Sequence, residues 1–174
     1  MAGFSGFDPV IRRCGGIASR RELLAAGWPE TDLWFALSYG HLDRIRRGWF
    51  AASDLSDDVR RGWRAGGPLA CVSALLRYGM LDASPADHEL GLHICVASDG
   101  HLPMGDAGTP SDEEAPLVVH WSTADRYSGS RRAVAPAVAL RQARACSSPA
   151  RARAAQVPMS RVRRVTARAI QPGE

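Results

Sequence analysis

Residues 19–51 constrain the fold most strongly, because glycine and proline divide this stretch into short segments with distinct patterns. Ser19 and Glu22 have the spacing of a capping box, in which the serine hydroxyl accepts a bond from the helix and the glutamate reaches back. Gly27 is placed to stop this first helix, and Pro29 is placed to start a second one. The sequence therefore predicts two short helices joined by a tight turn.

The second helix is predicted at residues 29–39, and Gly40 follows its end. Residues 41–51 are β-prone and are broken by Gly48, which indicates a hairpin. Helix, turn, helix and hairpin is the order of a winged helix-turn-helix. One side of the second helix is predicted to be buried, because apolar residues recur there at helical spacing: Leu33, Ala36 and Leu37.

The rest of the chain predicts a small α/β domain and then a basic tail. We expect helices at 68–78 and 136–146, with strands at 92–96 and 117–121 between them. Residues 147–174 lack a sustained apolar period, so we expect this segment to be disordered. The predicted fold class is α+β, with three parts: a winged helix-turn-helix domain at 1–55, a small α/β domain at 56–146, and an Arg-rich disordered tail at 147–174.

Charge is distributed in three blocks. Residues 1–64 hold ten arginines and eight acidic residues. Residues 65–120 hold one arginine and eight acidic residues, and residues 121–174 hold eleven arginines and two acidic residues. This asymmetry favours a modular chain whose basic end can meet a polyanion. All 22 basic residues are arginine, which excludes mechanisms that need a lysine amine, such as Schiff-base formation.

Five segments of the sequence carry a resemblance to a known protein family. Gly16-Ile-Ala-Ser-Arg-Arg-Glu-Leu-Leu-Ala-Ala-Gly27 and Gly40-His-Leu-Asp-Arg-Ile-Arg-Arg-Gly-Trp-Phe50 resemble the N-terminal domain of AbiEi-type antitoxins of type IV toxin–antitoxin systems. Three further segments are similar to the middle domain of actinobacterial members of that family. These segments are Cys71-Val-Ser-Ala-Leu-Leu-Arg-Tyr-Gly79, Leu92-His-Ile-Cys-Val96 and Val118-Val-His-Trp121. The resemblance as a whole spans about residues 10–146.

The resemblance implies an autoregulatory transcriptional regulator that binds double-stranded DNA near its own promoter, as two copies on a repeated site. Its functional counterpart would be a nucleotidyltransferase-like toxin, which such antitoxins oppose without a stable complex. Many relatives continue into a domain like the very-short-patch-repair endonucleases, which needs acidic metal ligands and a lysine. The sequence has no lysine and lacks a segment like that domain. We therefore expect no nuclease activity, and no other motif predicts an enzyme.

In a helix-turn-helix, the second helix enters the major groove and neighbouring basic residues contact phosphates. The hairpin arginines at 44 and 46 should alternate onto one face of their strand. The residues predicted to face base edges are Thr31, Phe35, Ser38 and Tyr39, with Trp34 also expected to be exposed. The residues predicted to contact phosphates are Arg20, Arg21, Arg44, Arg46 and Arg47.

The alternative is a winged-helix protein-interaction module, or a truncated and degenerate relative that does not bind DNA. Glu30 and Asp32 favour it, because acidic residues in the first turn of the second helix would repel phosphates. Surface charge distinguishes the two, since arginines that converge on one face favour DNA and arginines that scatter favour a protein partner.

No metal ligand or cofactor is predicted, although several metal-binding residue types fall in one region: His88, His93, Cys95, His101 and His120. Their spacing matches no zinc signature. His93 is expected on the polar face of a half-buried strand, and Cys71 is expected to act as a small hydrophobe in a helix.

The location expected from the sequence is the cytoplasm. No apolar run approaches the ~20 residues needed to cross a bilayer, and the N-terminus has no apolar core of a signal peptide. The four cysteines are widely spaced without a CxxC pair, which favours a reducing compartment.

Overall fold

The computed structural model describes residues 7–85, 87–102, 116–158, 160–161 and 165. The chain divides into two compact units, unit 1 (Met1–Arg64) and unit 2 (Ala65–Glu174). The boundary therefore falls after Arg64 and not at the predicted position between residues 55 and 56. Helices and small sheets coexist in the chain, which confirms the predicted α+β class.

Unit 1 contains a three-stranded antiparallel sheet with the strand order β1-β3-β2. Strand β1 pairs with β3, so a strand that the sequence analysis did not predict completes the hairpin as a sheet. The elements in chain order are α1 (Phe7–Arg13), β1 (Ile17–Ser19), α2 (Arg20–Ala25), α3 (Glu30–Ser38), β2 (Leu42–Arg46), β3 (Trp49–Ala52) and α4 (Asp57–Ala65).

The predicted signals are confirmed at both ends of α2, whereas α3 begins one residue later than predicted. Both bonds of the capping box are present between Ser19 and Glu22. Gly27 follows α2 with a φ of 88°, a conformation that glycine adopts without strain. Pro29 occupies the N-cap position of α3 instead of its first turn. The predicted buried side of α3 packs into the unit's core, with Leu33 and Ala36 fully inside and Leu37 against them.

Helix α4 belongs to unit 1, and this is why the predicted boundary was too early. The Trp63 side chain is buried, and its ring centroid lies 4.6 Å from that of Trp49 on β3. Arg60 forms an ion pair with Asp43 on β2 and donates to the carbonyl of Leu55 at 2.7 Å. These contacts tie α4 to the sheet.

Unit 2 contains a two-stranded parallel sheet in which β4 pairs with β5. Both strands and helix α8 have the bounds predicted from the sequence, to within one residue. The elements in chain order are α5 (Cys71–Arg77), α6 (Asp87–Leu90), β4 (Leu92–Val96), β5 (Leu117–Trp121), α7 (Thr123–Arg126), α8 (Pro136–Ala145) and α9 (Ser148–Ala155).

Helix α5 begins three residues later than predicted, because the preceding segment is extended and lies beside β4. The Leu69 backbone bridges Ile94, and the Ala70 amide donates to the His93 carbonyl at 2.8 Å. Gly67 lies so close to the Cys95 carbonyl that a Cβ atom would collide with it. The chain therefore enters α5 directly from the edge of β4.

The predicted disordered tail is wrong for its first part, because residues 148–155 form α9. This helix packs against α8 and α5 and buries Ala150 and Ala154 completely. Alanine side chains bury little area each, which is why no apolar period was visible in the sequence. Most of the remaining tail lies outside the described residues. None of the described helices combines the length and apolar character needed to cross a membrane.

Candidate functional sites

The capping box fixes the direction in which α2 begins. The Ser19 amide donates to Glu22 Oε2 at 2.8 Å, and the Glu22 amide donates to Ser19 Oγ at 3.3 Å. Arg20 and Arg21 are the next two residues, and both are exposed at the start of α2. Their position at this helix end is therefore set by a bonded turn.

Strand register brings these arginines beside the hairpin turn. Ser19 on β1 and Arg46 on β2 are both register partners of Trp49 on β3. The Arg20 amide also donates to the carbonyl of Gly48, within the turn, at 2.8 Å. Four of the five predicted phosphate-contacting arginines thus belong to one end of the sheet. We call them the hairpin-end arginines: Arg20, Arg21, Arg46 and Arg47.

The predicted alternation of Arg44 and Arg46 onto one face is interrupted. A β-bulge lies between them, with Arg44 opposite Phe50 and Arg46 opposite Trp49. A bulge places an extra residue on one strand and turns the following side chains. Arg44 is exposed, whereas the Arg46 guanidinium lies 5.7 Å from the ring centroid of Trp49.

The acidic start of α3 is partly neutralised within unit 1. Glu30 forms an ion pair with Arg20, and both side chains are largely exposed. An exposed pair of this kind contributes little stability. It does offset one of the two negative charges that would repel a phosphate near α3. Thr31, which lies beside Asp32, donates to its carboxylate at 3.5 Å.

The outward side of α3 is aromatic. The Trp34 side chain is 62% exposed, as predicted, and its ring meets Phe35 edge-on at 5.2 Å. The Phe35 ring stacks on Tyr39 at 6.3 Å, and Ser38 is exposed beside them. Adjacent exposed apolar side chains on a small unit are typical of a surface that binds a ligand or a macromolecular partner. The residues predicted to face bases therefore share one surface.

Unit 2 contains a cluster of two cysteines and two histidines, of which the first two are buried and the last two half-buried: Cys71, His93, His120 and Cys146. One donor atom from each lies within 4.8 Å of the other three. His93 Nδ1 is 3.1 Å from His120 Nε2 and 4.0 Å from Cys146 Sγ. We call this group the Cys–His cluster. Among the described residues of unit 2, it is the set of side chains best suited to hold a metal ion, since all four are common metal ligands.

Each cluster residue sits at a constrained point of the fold. Cys71 is the first residue of α5 and has a φ of 49°, the one positive value among the described non-glycine residues. Its amide donates to Gln142 Oε1 at 3.1 Å. His120 lies on β5 directly beside β4, and Cys146 is the C-cap of α8. Backbone strain of the kind seen at Cys71 persists where surrounding contacts over-determine it, often at functional sites.

His93 contradicts its predicted position on a polar strand face. Strand β4 is buried along its whole length, and the His93 side chain is only 1% exposed. Its amide donates to Ser73 Oγ at 3.0 Å, and its Nε2 lies 3.0 Å from the carbonyl of Leu90. A carbonyl only accepts hydrogen bonds, so Nε2 carries the proton and the Nδ1 lone pair points into the cluster.

Burial shifts the pKa values of three cluster residues, His93, His120 and Cys71. Burial, and to a lesser extent the neighbouring His120, lowers the pKa of His93 to about 4. Burial also lowers the pKa of His120. Both imidazoles are therefore neutral at neutral pH, the form that binds metal ions. Burial and the nearby Cys146 raise the pKa of the Cys71 thiol to about 12, which argues against a cysteine nucleophile.

The other metal-type residues considered in the sequence do not join the cluster. Cys95 faces elsewhere, with its Sγ 3.6 Å from the carbonyl of Ser122. His101 is exposed, and the side chain of His88 lies outside the described residues. The two cysteine members could not be recognised from the sequence, because Cys71 has the pattern of a core residue and Cys146 stands at the end of a helix.

No protein-family model matches this chain, and no curated protein is significantly similar to it. The function must therefore be inferred from the two sites themselves.

Proposed function

We propose that unit 1 is a winged helix-turn-helix domain that binds double-stranded DNA, in a chain that acts as an AbiEi-like antitoxin and represses its own promoter. The element order supports this proposal: a helix, a strand, two helices and a hairpin that pairs with the first strand. The turn between α2 and α3 spans four residues, the length usual in helix-turn-helix motifs.

The observation that carries the proposal is the convergence of the hairpin-end arginines. Two independent links, the shared register partner Trp49 and the bond from Arg20 to Gly48, place both arginine pairs at one sheet end. Guanidinium groups bind phosphates with two parallel bonds, so such a group suits a DNA backbone. The neighbouring exposed side of α3 would enter the major groove, as recognition helices do.

That side of α3 implies limited sequence discrimination. Thr31 and Ser38 can bond to base edges, and Phe35 can contact a thymine methyl group. No arginine or asparagine lies on α3 to make a two-bond contact with a base. We therefore expect affinity to come mainly from phosphates, with modest preference for particular sequences.

Replacing Arg46 and Arg47 together by alanine should weaken binding to all DNA sequences. The loss of two phosphate contacts should lower affinity roughly tenfold and flatten the dependence of log affinity on log salt by about two. Fluorescence anisotropy with the chain's own upstream DNA and with a scrambled duplex, at several salt concentrations, measures both quantities. Tighter binding to the upstream DNA would support autoregulation.

A matched control removes two arginines from unit 2, Arg144 and Arg151, which are exposed on α8 and α9. This variant has the same net charge but keeps the hairpin-end arginines, so its salt dependence should match the parent. If the variant that lacks Arg46 and Arg47 also keeps the affinity and salt dependence of the parent, the hairpin does not contact DNA. The exposed aromatic side of α3 would then favour the second candidate function, a protein-interaction module.

The antitoxin role makes a separate prediction. Co-expression of the chain with a nucleotidyltransferase-like toxin of a type IV system should restore growth without formation of a stable complex. Growth assays and affinity purification of the tagged chain measure the two parts. A chain with Arg46 and Arg47 replaced tests whether rescue requires the proposed DNA-binding surface. Persistent toxicity with every such toxin tested would contradict the antitoxin role and leave the DNA-binding proposal standing.

A further inference from the structure

We propose that Cys71, His93, His120 and Cys146 bind one Zn²⁺ ion in a closed, tetrahedral, structural site within unit 2. The inference rests on unit 2 alone and is independent of the DNA-binding proposal. The four residues are far apart in the sequence, and their spacing fits no short zinc motif. The fold itself brings them together, from two helix ends and two neighbouring strands.

The distances in the cluster are close to those that zinc requires. Zn²⁺ lies ~2.0 Å from nitrogen and ~2.3 Å from sulfur, so tetrahedral geometry separates the donor atoms by about 3.3 to 3.8 Å. The His93 Nδ1 to His120 Nε2 distance is 3.1 Å, and the His93 Nδ1 to Cys146 Sγ distance is 4.0 Å. All four donor atoms lie within 4.8 Å of one another, so side-chain shifts of up to about 1 Å would complete the site.

The surroundings of His93 are those of a metal ligand. Metal-binding histidines commonly donate their second ring proton to a carbonyl, which fixes the tautomer and the ring plane. The Leu90 carbonyl takes this role at 3.0 Å from Nε2, leaving the Nδ1 lone pair directed at the other three donors. His120 Nε2 and Cys146 Sγ lie 3.1 Å and 4.0 Å from Nδ1, on the side where a metal ion would bind.

The two thiols complete the donor set of a zinc site. Cys71 is fully buried, and the Sγ atoms of Cys71 and Cys146 both belong to the cluster of donor atoms. A zinc ion supplies the positive charge that lets two adjacent cysteines exist as thiolates in the interior. The donor set of two sulfur and two nitrogen atoms in tetrahedral arrangement is typical of zinc. Four protein ligands leave no open position for water or substrate, which indicates a structural role.

The ion would stabilise the two-stranded sheet of unit 2. A two-stranded sheet has little stability alone, and β5 pairs with β4 while exposing Leu117 and Trp121 at its ends. His120 would tie β5 through the metal to His93 on β4, to the start of α5 and to the end of α8. Metal binding of this kind contributes directly to the free energy of folding.

The experiment measures metal content on the full-length chain, purified without chelators from zinc-supplemented cells. Elemental analysis should find one zinc per chain. Exchange into Co²⁺ should give the visible absorption of a tetrahedral site together with a thiolate-to-cobalt charge-transfer band. Removal of zinc by a strong chelator should lower the melting temperature of unit 2, and added Zn²⁺ should restore it.

Two single variants test the assignment of ligands. Cys146→Ser and His120→Ala remove the two half-buried members and should reduce zinc content to near zero. Cys95→Ser is the matched control, since Cys95 is a buried cysteine on β4 that does not belong to the cluster, and it should keep one zinc per chain. Loss of metal from this control as well would indicate misfolding of unit 2.

The parent chain keeps the proposal falsifiable even if both ligand variants misfold. Absence of zinc, together with a Co²⁺ spectrum that lacks the thiolate band, would overturn it. A disulfide between Cys71 and Cys146, identified by peptide mapping of the non-reduced chain, would also overturn it. A cobalt spectrum typical of octahedral oxygen ligands would show that metal binds elsewhere, and would overturn the assignment to this cluster.

Discussion

Replacing Trp63 by alanine should lower the free energy of unfolding of unit 1 by about 3 to 5 kcal/mol, the usual effect of removing a buried aromatic side chain. The Trp63 side chain is 3% exposed and its ring packs on that of Trp49. The cavity would lie under β3, the central strand of the sheet. Urea unfolding followed by circular dichroism, with hydrogen exchange at residues 17–52, measures the loss and locates it.

Trp34 provides a matched control for this substitution. Its side chain is 62% exposed on α3, so Trp34→Ala should change the free energy of unfolding by less than about 0.5 kcal/mol. Equal effects of the two substitutions would mean that α4 does not pack on the sheet. The Trp63 variant should also weaken DNA binding, because the Trp49 ring contacts both the Trp63 ring and the Arg46 guanidinium.

This prediction concerns the part of unit 1 that sequence patterns could not identify. Helix α4 contains few apolar residues, and among them only Val59 and Trp63 are buried. Val59 and Trp63 stand at helical spacing, but two apolar residues are too few to identify a helix from the sequence. Strand β1 has only three residues, and its pairing with β3 depends on contacts that form far along the chain. Sequence therefore predicted α2, α3 and the hairpin, but not the elements on either side.

The two candidate sites differ in how many of their residues could be predicted from the sequence. The exposed side of α3 follows from helical spacing, so Phe35 and Tyr39 could be placed correctly before the fold was known. The Cys–His cluster depends on tertiary structure alone. His93 was assigned to a polar face because alternation was assumed, whereas β4 is buried on both faces. A strand buried on both faces carries no alternating signal.

The segment predicted as a basic tail shows the limit of reasoning from net charge. Its arginines were expected to meet an external polyanion, but two of them meet acidic residues of the preceding block instead. Arg153 pairs with Asp87, and Arg161 lies 3.8 Å from Asp82. A run of one charge in the sequence can thus be neutralised within the same unit, so the DNA-binding proposal rests on unit 1 and not on these arginines.

Replacing Arg153 by alanine should destabilise unit 2 by about 3 kcal/mol, because it leaves a buried carboxylate without its main partner. Arg153 Nε is 2.8 Å from Asp87 Oδ1, and Arg153 Nη2 is 2.9 Å from Asp87 Oδ2. Both side chains are largely buried. Without the guanidinium, the described donor left to Asp87 is the Ser84 amide at 2.7 Å.

Arg151 is the control on the same helix. It is exposed and donates to the Arg144 carbonyl at 3.0 Å, so Arg151→Ala should cost no more than about 1 kcal/mol. Thermal unfolding compares the two variants, and hydrogen exchange at residues 148–157 reports whether α9 has detached. If both substitutions have the same small effect, α9 is not docked in solution and the tail is as mobile as its composition suggested.

A double variant separates the lost ion pair from the lost packing. Replacing Arg153 by methionine and Asp87 by leucine removes both charges while keeping much of the buried volume. Replacement of a buried pair by apolar residues is often neutral or stabilising, so the double variant should recover most of the stability lost in Arg153→Met alone. The difference between the double variant and the sum of the single variants gives the coupling energy directly. A coupling close to zero would show that α9 is held by its alanine face, with Ala150 and Ala154 against α8, and that the arginine only covers this contact.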